Sequence, residues 1–458
     1  MKALLTAAVM RKPADYIEVR VEESVVTDIA FRGKEIDNLG QSVRFGGNVR
    51  ALVDGGWGFV SFNSLGDLDK KVIEAIGQAR LVSLHTREKS VLAPVPVVVD
   101  TVQLDVKTDA REVSLAKKKE VLDGYNSIIL GYGRNVTSSS ITYFDHYRKI
   151  WFANSEGTYV EQEKMDVAGA ISAIANRGSD TQQRQVGFGS TKDWNVVLAL
   201  EKQVEAACGV ASRMLDAPSV AGGQYTVILD PLLAGIFAHE AFGHLSEADN
   251  VYENPELQKV MVLGRRFGGP ELSIYDTGLD EGARGHIVYD DEGVRTEKTY
   301  LIAGGLLVGR LHSRETAGKM GEHATGNARA IDYRHAPIVR MRSTSIERGK
   351  ASFEDMIKDV KLGVYAIQSY GGQTNGEMFT FSAGEGYMIR DGKVAELVRD
   401  VNLTGNVFQT LQDIDMVGVD FCTHEMAGGC GKADQGPLPT SEWAPHIRIR
   451  NVVVGGKR

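Results

Sequence analysis

The stretch YIEVRVEE, Tyr16 to Glu23, alternates apolar and polar residues with β-branched content, the period-two signature of a half-buried strand. Before it, MKALLTAAVMRKPAD has a short apolar run closed by Arg11 and Lys12 with no A-x-A site following, which predicts an N-terminal helix rather than a secretion signal. After it, SVVTDIAFRGKEIDNLG, SVRFGGNVRALVDGG and WGFVSFN carry strand and turn chemistry, and from Leu65 to Leu81 the apolar spacing becomes helical. The same order recurs: a charged helix from about Val113 to Leu130, strands through SSITYFDHYRKIWFANSEGTYVEQEKMDVAGAISAIA, and a helix from about Val196 to Leu215. GGWGFVSFN and RQVGFGSTK each place a Gly-Phe pair before a helix, so an internal duplication is expected.

Pro and Gly between Ala217 and Gly223 interrupt the last of these helices, and the expected boundary falls there, giving an N-terminal domain over 1–217 and a C-terminal domain over 218–458. QYTVILD then reads as a strand and PLLAGIFAHEAFGHLSEA as a helix opened by Pro231, whose missing N–H costs nothing in a first turn. HIVYDDEGV, TEKTYLIAGGLLVGRLHS, IVRMRSTSI, FTFSAGEGYMIRDGKVAELVRDVNLTG and HIRIRNVVVGG alternate with Gly/Asp turns, the pattern of antiparallel meanders rather than βαβ units. The predicted class is α+β.

Composition narrows the function. With 458 residues, 43% hydrophobic and 24% charged, the chain has ordinary globular usage. Lys+Arg 52 against Asp+Glu 60 gives 52 − 60 = −8, without the basic excess that phosphate-backbone binding exploits, so no nucleic-acid partner is expected. The longest apolar stretches, such as Pro231 to Ala238, fall far short of the roughly 20 residues that span a bilayer, so no membrane helix is predicted. Cys208, Cys422 and Cys430 are an odd number in a large acidic chain, which argues for a reducing, cytoplasmic location.

The candidate chemistry is His239-Glu240-Ala241-Phe242-Gly243-His244, on a helix whose other face, Leu232, Leu233, Ile236 and Phe237, reads as core. Two histidines flanking a glutamate suggest a metallohydrolase, in which imidazoles hold a metal and the Glu takes the proton of an activated water. In H-E-x-x-H the ligands lie at i and i+4, about 40° apart, whereas i and i+5 are about 140° apart on an α-helix. A π-bulge would bring them together, with Gly243 as the point where the backbone adapts most easily. With 10 His and 60 acids, an H-[DE]-x-x-x-H match arises by chance about 0.03 times in such a chain, so the alternative of two hydrogen-bonded core histidines carries less weight.

A third ligand must come from elsewhere. Cys430, flanked by glycines in Met426 to Lys432, is one candidate, and a His₂Cys set favours zinc over magnesium or calcium; its alternative is a small apolar residue in a turn. Cys422 and His424 compete for the same role, while Cys208 reads as core. Glu247 and Asp249 either orient the ligands or form a solvated helix end. Arg329, His335 and His323 are candidates for stabilising an oxyanion.

HEAFGHLSEAD, YDDEGVRTEKTYLIAGGLLVGRLHSRETA, TGNARAIDYRHAPIVRM, SYGGQTNGEMFTFSAGEGYMIRDGKV and the terminal GGCGKADQGPLPT closely resemble the TldD/PmbA family of cytoplasmic metallopeptidases, and GGNVRALVDGGWGFVSFN does so less specifically. The resemblance implies one zinc ion per chain on His239, His244 and Cys430, with Glu240 as catalytic general base. It also implies the metal-binding type rather than the paralogous type that lacks the HExxxH ligands and serves as partner. The expected activity is hydrolysis of small, unfolded or modified peptides by a homodimer or a heterodimer with that paralogue. Edge strands of the C-terminal domain could bind extended substrate by β-augmentation. A metal-dependent amidase or deacylase would use the same ligands, and a non-catalytic peptide-binding subunit would not need them.

Overall fold

A computed structural model describes residues 1–455. The fold is α+β. Helix α1 (Lys2–Val9) leads into strands β1 (Tyr16–Arg32), β2 (Glu35–Val53) and β3 (Gly56–Phe62), followed by α2 (Leu68–Ser83). After a short strand β4 (Val99–Val102) come α3 (Leu115–Gly131), strands β5 (Val136–Asn154), β6 (Tyr159–Arg177) and β7 (Asp180–Ser190), and α4 (Glu201–Met214). These strands form one sheet in the order β3-β2-β1-β5-β6-β4, with β7 also paired to β6, and the two runs of strands join where β1 lies antiparallel to β5. The duplication and the boundary after residue 217 stand as proposals.

Period-two alternation gives this sheet two unlike faces. Ile17, Val19 and Val21 of β1 pack into one apolar cluster with Leu5 of α1 and Val72, Ala75 and Ile76 of α2, while Ile29 and Phe31 join a second with residues of α3 and α4. The opposite face is polar yet buried, where half-exposure was expected: Glu18, Arg20 and Glu22 are 2%, 2% and 3% exposed. The C-terminal part covers that face and supplies counter-charges. Arg20 lies 3.2 Å from Asp291, and Arg50 bridges Glu18 at 3.1 Å and Glu292 at 3.2 Å.

The C-terminal part begins with β8 (Gly223–Leu229) and α5 (Pro231–Ala238). Here β8 pairs in parallel with Leu362–Asn375 and antiparallel with Ile447–Gly455, and pairing continues through Asn402–Asn406 and Met378–Arg390 back to Leu362–Asn375, closing a circuit of strands. Phe237 of α5 meets Phe379 and Phe381 of this circuit at ring separations of 5.5 and 6.0 Å. A second sheet holds Ile274–Thr277 against Lys298–Ala303 and against Ser343–Ile346, which pairs in parallel with Ser441–Trp443. The meanders are therefore interrupted by two parallel pairings, each a crossover returning from far along the chain.

HIVYDDEGV is not a strand. Its acidic side chains do the work of a ladder: Asp290 accepts from the backbone N–H groups of Glu292, Val294 and Ala328, and Asp291 from that of Ala330. Short helices at Arg314–Met320, Phe353–Ile357 and Val407–Gln412 were not expected among the strands. Among the described residues no helix is long and apolar enough to cross a membrane.

Close packing around α5 yields a stability test. A Cβ on Gly235 would lie 2.4 Å from the Glu442 carbonyl oxygen, whereas one on Gly77 in α2 meets nothing within 4 Å. Gly235→Ala should lower stability by roughly 1–3 kcal/mol through overpacking, while Gly77→Ala should raise it by about 0.5–1 kcal/mol. Chemical denaturation of both variants checks the opposite signs.

Candidate metal centre

Helix α5 starts where Asp230 accepts from the Leu233 N–H at 2.9 Å and Pro231 occupies the first turn, so its register is set from the N-terminal end. It then widens. His239–Gly243 is a π-helical turn in which the His244 N–H donates to the His239 carbonyl, five residues back, and His244–Ser246 tightens into a 3₁₀ turn. The extra residue per turn places the His239 and His244 rings 5.2 Å apart, nearly perpendicular. Gly243 serves packing rather than adaptability: its φ is −56°, ordinary for a helix, and a Cβ there would sit 2.1 Å from the Met341 sulfur.

Cys430 comes from the far end of the chain and completes a group with His239 and His244 whose ligand atoms all lie within 4.8 Å of one another. The Cys430 Sγ is 3.5 Å from His244 Nε2. Its strand, Cys430–Lys432, pairs with Gln435–Leu438, and Arg340 holds the backbone by donating to the carbonyls of Cys430 and Gln435. Arg284 secures the preceding loop by donating to the Met426 and Gly428 carbonyls while its other nitrogens bind Asp166 of β6, both at 2.9 Å.

Each histidine backs onto a carboxylate. His244 Nδ1 lies 3.0 Å from Glu247, and His239 Nδ1 lies 3.1 Å from Glu442, an ion-pair distance whose angle leaves that nitrogen without a well-directed hydrogen bond. Carboxylates behind imidazoles fix the ring orientation and raise basicity. Lys432 bridges Glu247 at 3.1 Å and Asp249 at 2.7 Å, tying the cysteine strand to the end of the histidine segment. Burial pushes the Cys430 thiol up, but His239 and His244 outweigh it and bring it down to about 5. Burial likewise opposes the His244 imidazolium, yet Cys430 and Glu247 raise it to about 9, and His239 is raised well above its ordinary value by Cys430 and Glu442. A thiolate and two imidazoles whose outward nitrogens face carboxylates fit a zinc ion, by charge and by donor softness.

Glu240 lies between two cavities. One, about 390 Å³, is shared with His244 and Asn250; the other, about 310 Å³, with His239, Ile236 and the Met426–Gly429 loop. The remaining candidates lie elsewhere. Cys208 is buried in the core between α4 and the N-terminal sheet, and Cys422 and His424 are exposed and outside the group. Arg329 is buried and donates to the Met341 and Pro439 carbonyls; His335 binds Asp332, and exposed His323 binds Glu297. None of these three has a partner in the His239–His244–Cys430 group. Glu442 and Lys432 escaped sequence reasoning: Lys432 lies inside the GGCGK motif without a role of its own, and nothing local in PTSEW marks Glu442.

Sequence models of three domains match the chain: a PmbA/TldA metallopeptidase domain 1 over residues 17–80, a central domain over 108–215 and a C-terminal domain over 222–456. A metalloprotease of Synechocystis sp. is 45% identical over 444 residues, covering 97% of this chain and 95% of that protein. A zinc metalloprotease TldD homolog of Saccharolobus solfataricus is 28% identical over 457 residues, covering 97% of each. The crystal structure of TldE from Thermococcus kodakarensis shares the fold, with a TM-score of 0.78 at 20% identity over the whole of both chains.

Two measurements address the centre. Cys430→Ser should cut zinc content far more than Ser at Cys208 or Cys422; equal content in all three would exclude this sulfur. Because imidazoliums must lose protons to accept a cation, zinc affinity should rise with pH between 6 and 8, by about tenfold per unit for each proton released. Competition titration against a chelator of known affinity reads that slope.

Proposed function

The chain belongs to the PmbA/TldD metallopeptidase family, and from that premise we propose that it is a zinc-dependent peptidase of small, unfolded or modified peptides, with Glu240 as general base. The observation that carries this reading is the convergence of His239, His244 and Cys430 within 4.8 Å beside a glutamate that faces open cavities. Those three residues would hold one zinc ion. When bound, zinc polarises the scissile carbonyl and acidifies a water molecule at neutral pH.

Glu240 accepts the proton of the attacking water and returns it to the leaving amine, a sequence in which one carboxylate is base and then acid. Its place next to His239 fixes it relative to the metal, while the cavities on either side leave room for substrate on both flanks. Glu442 and Glu247 hold the imidazoles in orientation, and Lys432 offsets part of the charge of Glu247 and Asp249. A small-molecule amidase or deacylase would use the same groups, and a panel of unstructured peptides against acylated small molecules separates the two. A non-catalytic subunit would have no use for the complete donor set. The odd, unpaired cysteines fit a cytoplasmic setting.

Glu240→Gln should retain zinc and lose at least about 10²-fold in peptide cleavage, the scale of general-base catalysis. Near-wild-type cleavage with normal zinc would remove Glu240 from that role. We also expect a two-fold assembly, with itself or with a ligand-less paralogue, that encloses the cleft and excludes folded proteins. Native mass spectrometry should show a dimer; a stable monomer with full activity would refute the enclosure and leave the zinc chemistry standing.

A further inference from the structure

A cavity of about 380 Å³ separate from the metal centre lies between the polar face of the N-terminal sheet and loops of the C-terminal part. His146 and Arg148 of β5 and Lys164 and Asp166 of β6 enter it from one face, as alternation dictates, and Arg284 and Arg329 enter from the other side. Some of its charges are matched within the protein: Arg284 binds Asp166 through two nitrogens, and Arg148 binds Glu22 at 2.7 Å. Two are not. Lys164 donates to the Arg284 carbonyl at 2.8 Å, Arg329 donates only to carbonyls, and among the described residues neither has a carboxylate within ion-pair distance.

Enclosed cations bound only to neutral oxygens are costly, because carbonyls solvate a charge without cancelling it. The cost is visible in the neighbours. Burial, then Arg329, Arg148 and Arg284 together, depress the Lys164 ammonium to about 7 against the opposing pull of Asp166. Burial and Arg148 drive His146 down to about 4. In addition, Arg148 Nε and His146 Nε2 are buried without hydrogen-bond partners. Six cationic side chains against five carboxylates, Glu22, Asp28, Asp166, Asp291 and Asp332, line the space, and the open Arg148 Nε donor beside that small positive balance describes a place for an anion. Phe144, Ile150 and Ile287 line the same space, which suits a singly charged group on an apolar body better than a dianion.

We propose that this cavity binds the carboxylate end of a peptide, with Lys164 and Arg329 as the charges that recognise it. The source of the carboxylate rests on the peptidase reading. Ala427, in the loop leading to Cys430, borders both this cavity and the one that Glu240 and His239 share, so a chain passing that loop would lie against both.

The test uses the zinc-loaded full chain carrying Glu240→Gln, so that binding is read without hydrolysis, and titrates tetra-alanine as free acid and as C-terminal amide by calorimetry. The free acid should bind at least tenfold tighter, and adding Lys164→Gln, which keeps a donor for the Arg284 carbonyl but removes the charge, should shrink that preference below threefold. Arg44→Gln, at an exposed position on the cavity rim, should reduce it by a smaller factor and keeps the test readable if Lys164→Gln does not fold. Equal binding of acid and amide, or a preference that survives both substitutions, would overturn the proposal. Inorganic phosphate binding that depends on Lys164, with acid and amide indistinguishable, would overturn it in favour of a free-anion site. Failure of the peptidase reading would show separately, as a zinc-loaded wild-type chain that retains the acid preference yet cleaves no peptide.

Discussion

Two imidazoles five residues apart on one helix point in different directions unless the helix takes in an extra residue, and the π turn at His239–Gly243 is where it does so. Much of the surrounding structure holds that turn in place. The Asp230 cap sets the register of α5, and Gly235 lets the helix lie against the strand that carries Glu442. Gly243 admits the Met341 side chain, and Phe237 is locked among Phe379 and Phe381 inside the closed circuit of strands. A widened turn is tolerable here because its flanks are buried and immobilised, so that the two rings have few other orientations to adopt.

The third proposed ligand depends on charge as well as on apolar packing. Cys430 sits in a glycine-rich loop with little side-chain mass of its own, and guanidinium groups supply what the loop lacks: Arg340 on its carbonyl, Arg284 on the two carbonyls before it. Arg284 is in turn anchored to Asp166 on the N-terminal sheet. The N-terminal part is thus connected to the candidate metal centre through Arg284 and Asp166. Replacing one partner of such buried pairs leaves an uncompensated charge and costs more than the pair itself contributes.

Legibility followed the physics of each signal. Alternation in YIEVRVEE located β1, and helical spacing located α2 and α3 to within a few residues, because apolar periodicity reports burial directly. It could not report that Glu18, Arg20 and Glu22 are buried as well, since the charges they meet, Arg50 on β2, Asp291 in the C-terminal part and Arg148 on β5, lie on other segments. HIVYDDEGV misled for a related reason, its polar residues serving the backbone of residues 328–330 rather than solvent. At the centre, the spacing of His239 and His244 announced the π turn, while the partner of His239, Glu442, follows from the fold alone. The parallel pairing of Ser441–Trp443 with Ser343–Ile346 brings it there, and no local pattern encodes a pairing across about a hundred residues.

The central claim is that one widened turn and one distant cysteine make a single His₂Cys zinc site. X-ray absorption at the zinc edge of the metal-loaded chain tests it most directly. The account predicts one sulfur near 2.3 Å and two imidazole nitrogens at about 2.0–2.1 Å, with a remaining light-atom ligand. A spectrum fitted by nitrogen and oxygen alone, or by two or more sulfurs, would contradict it.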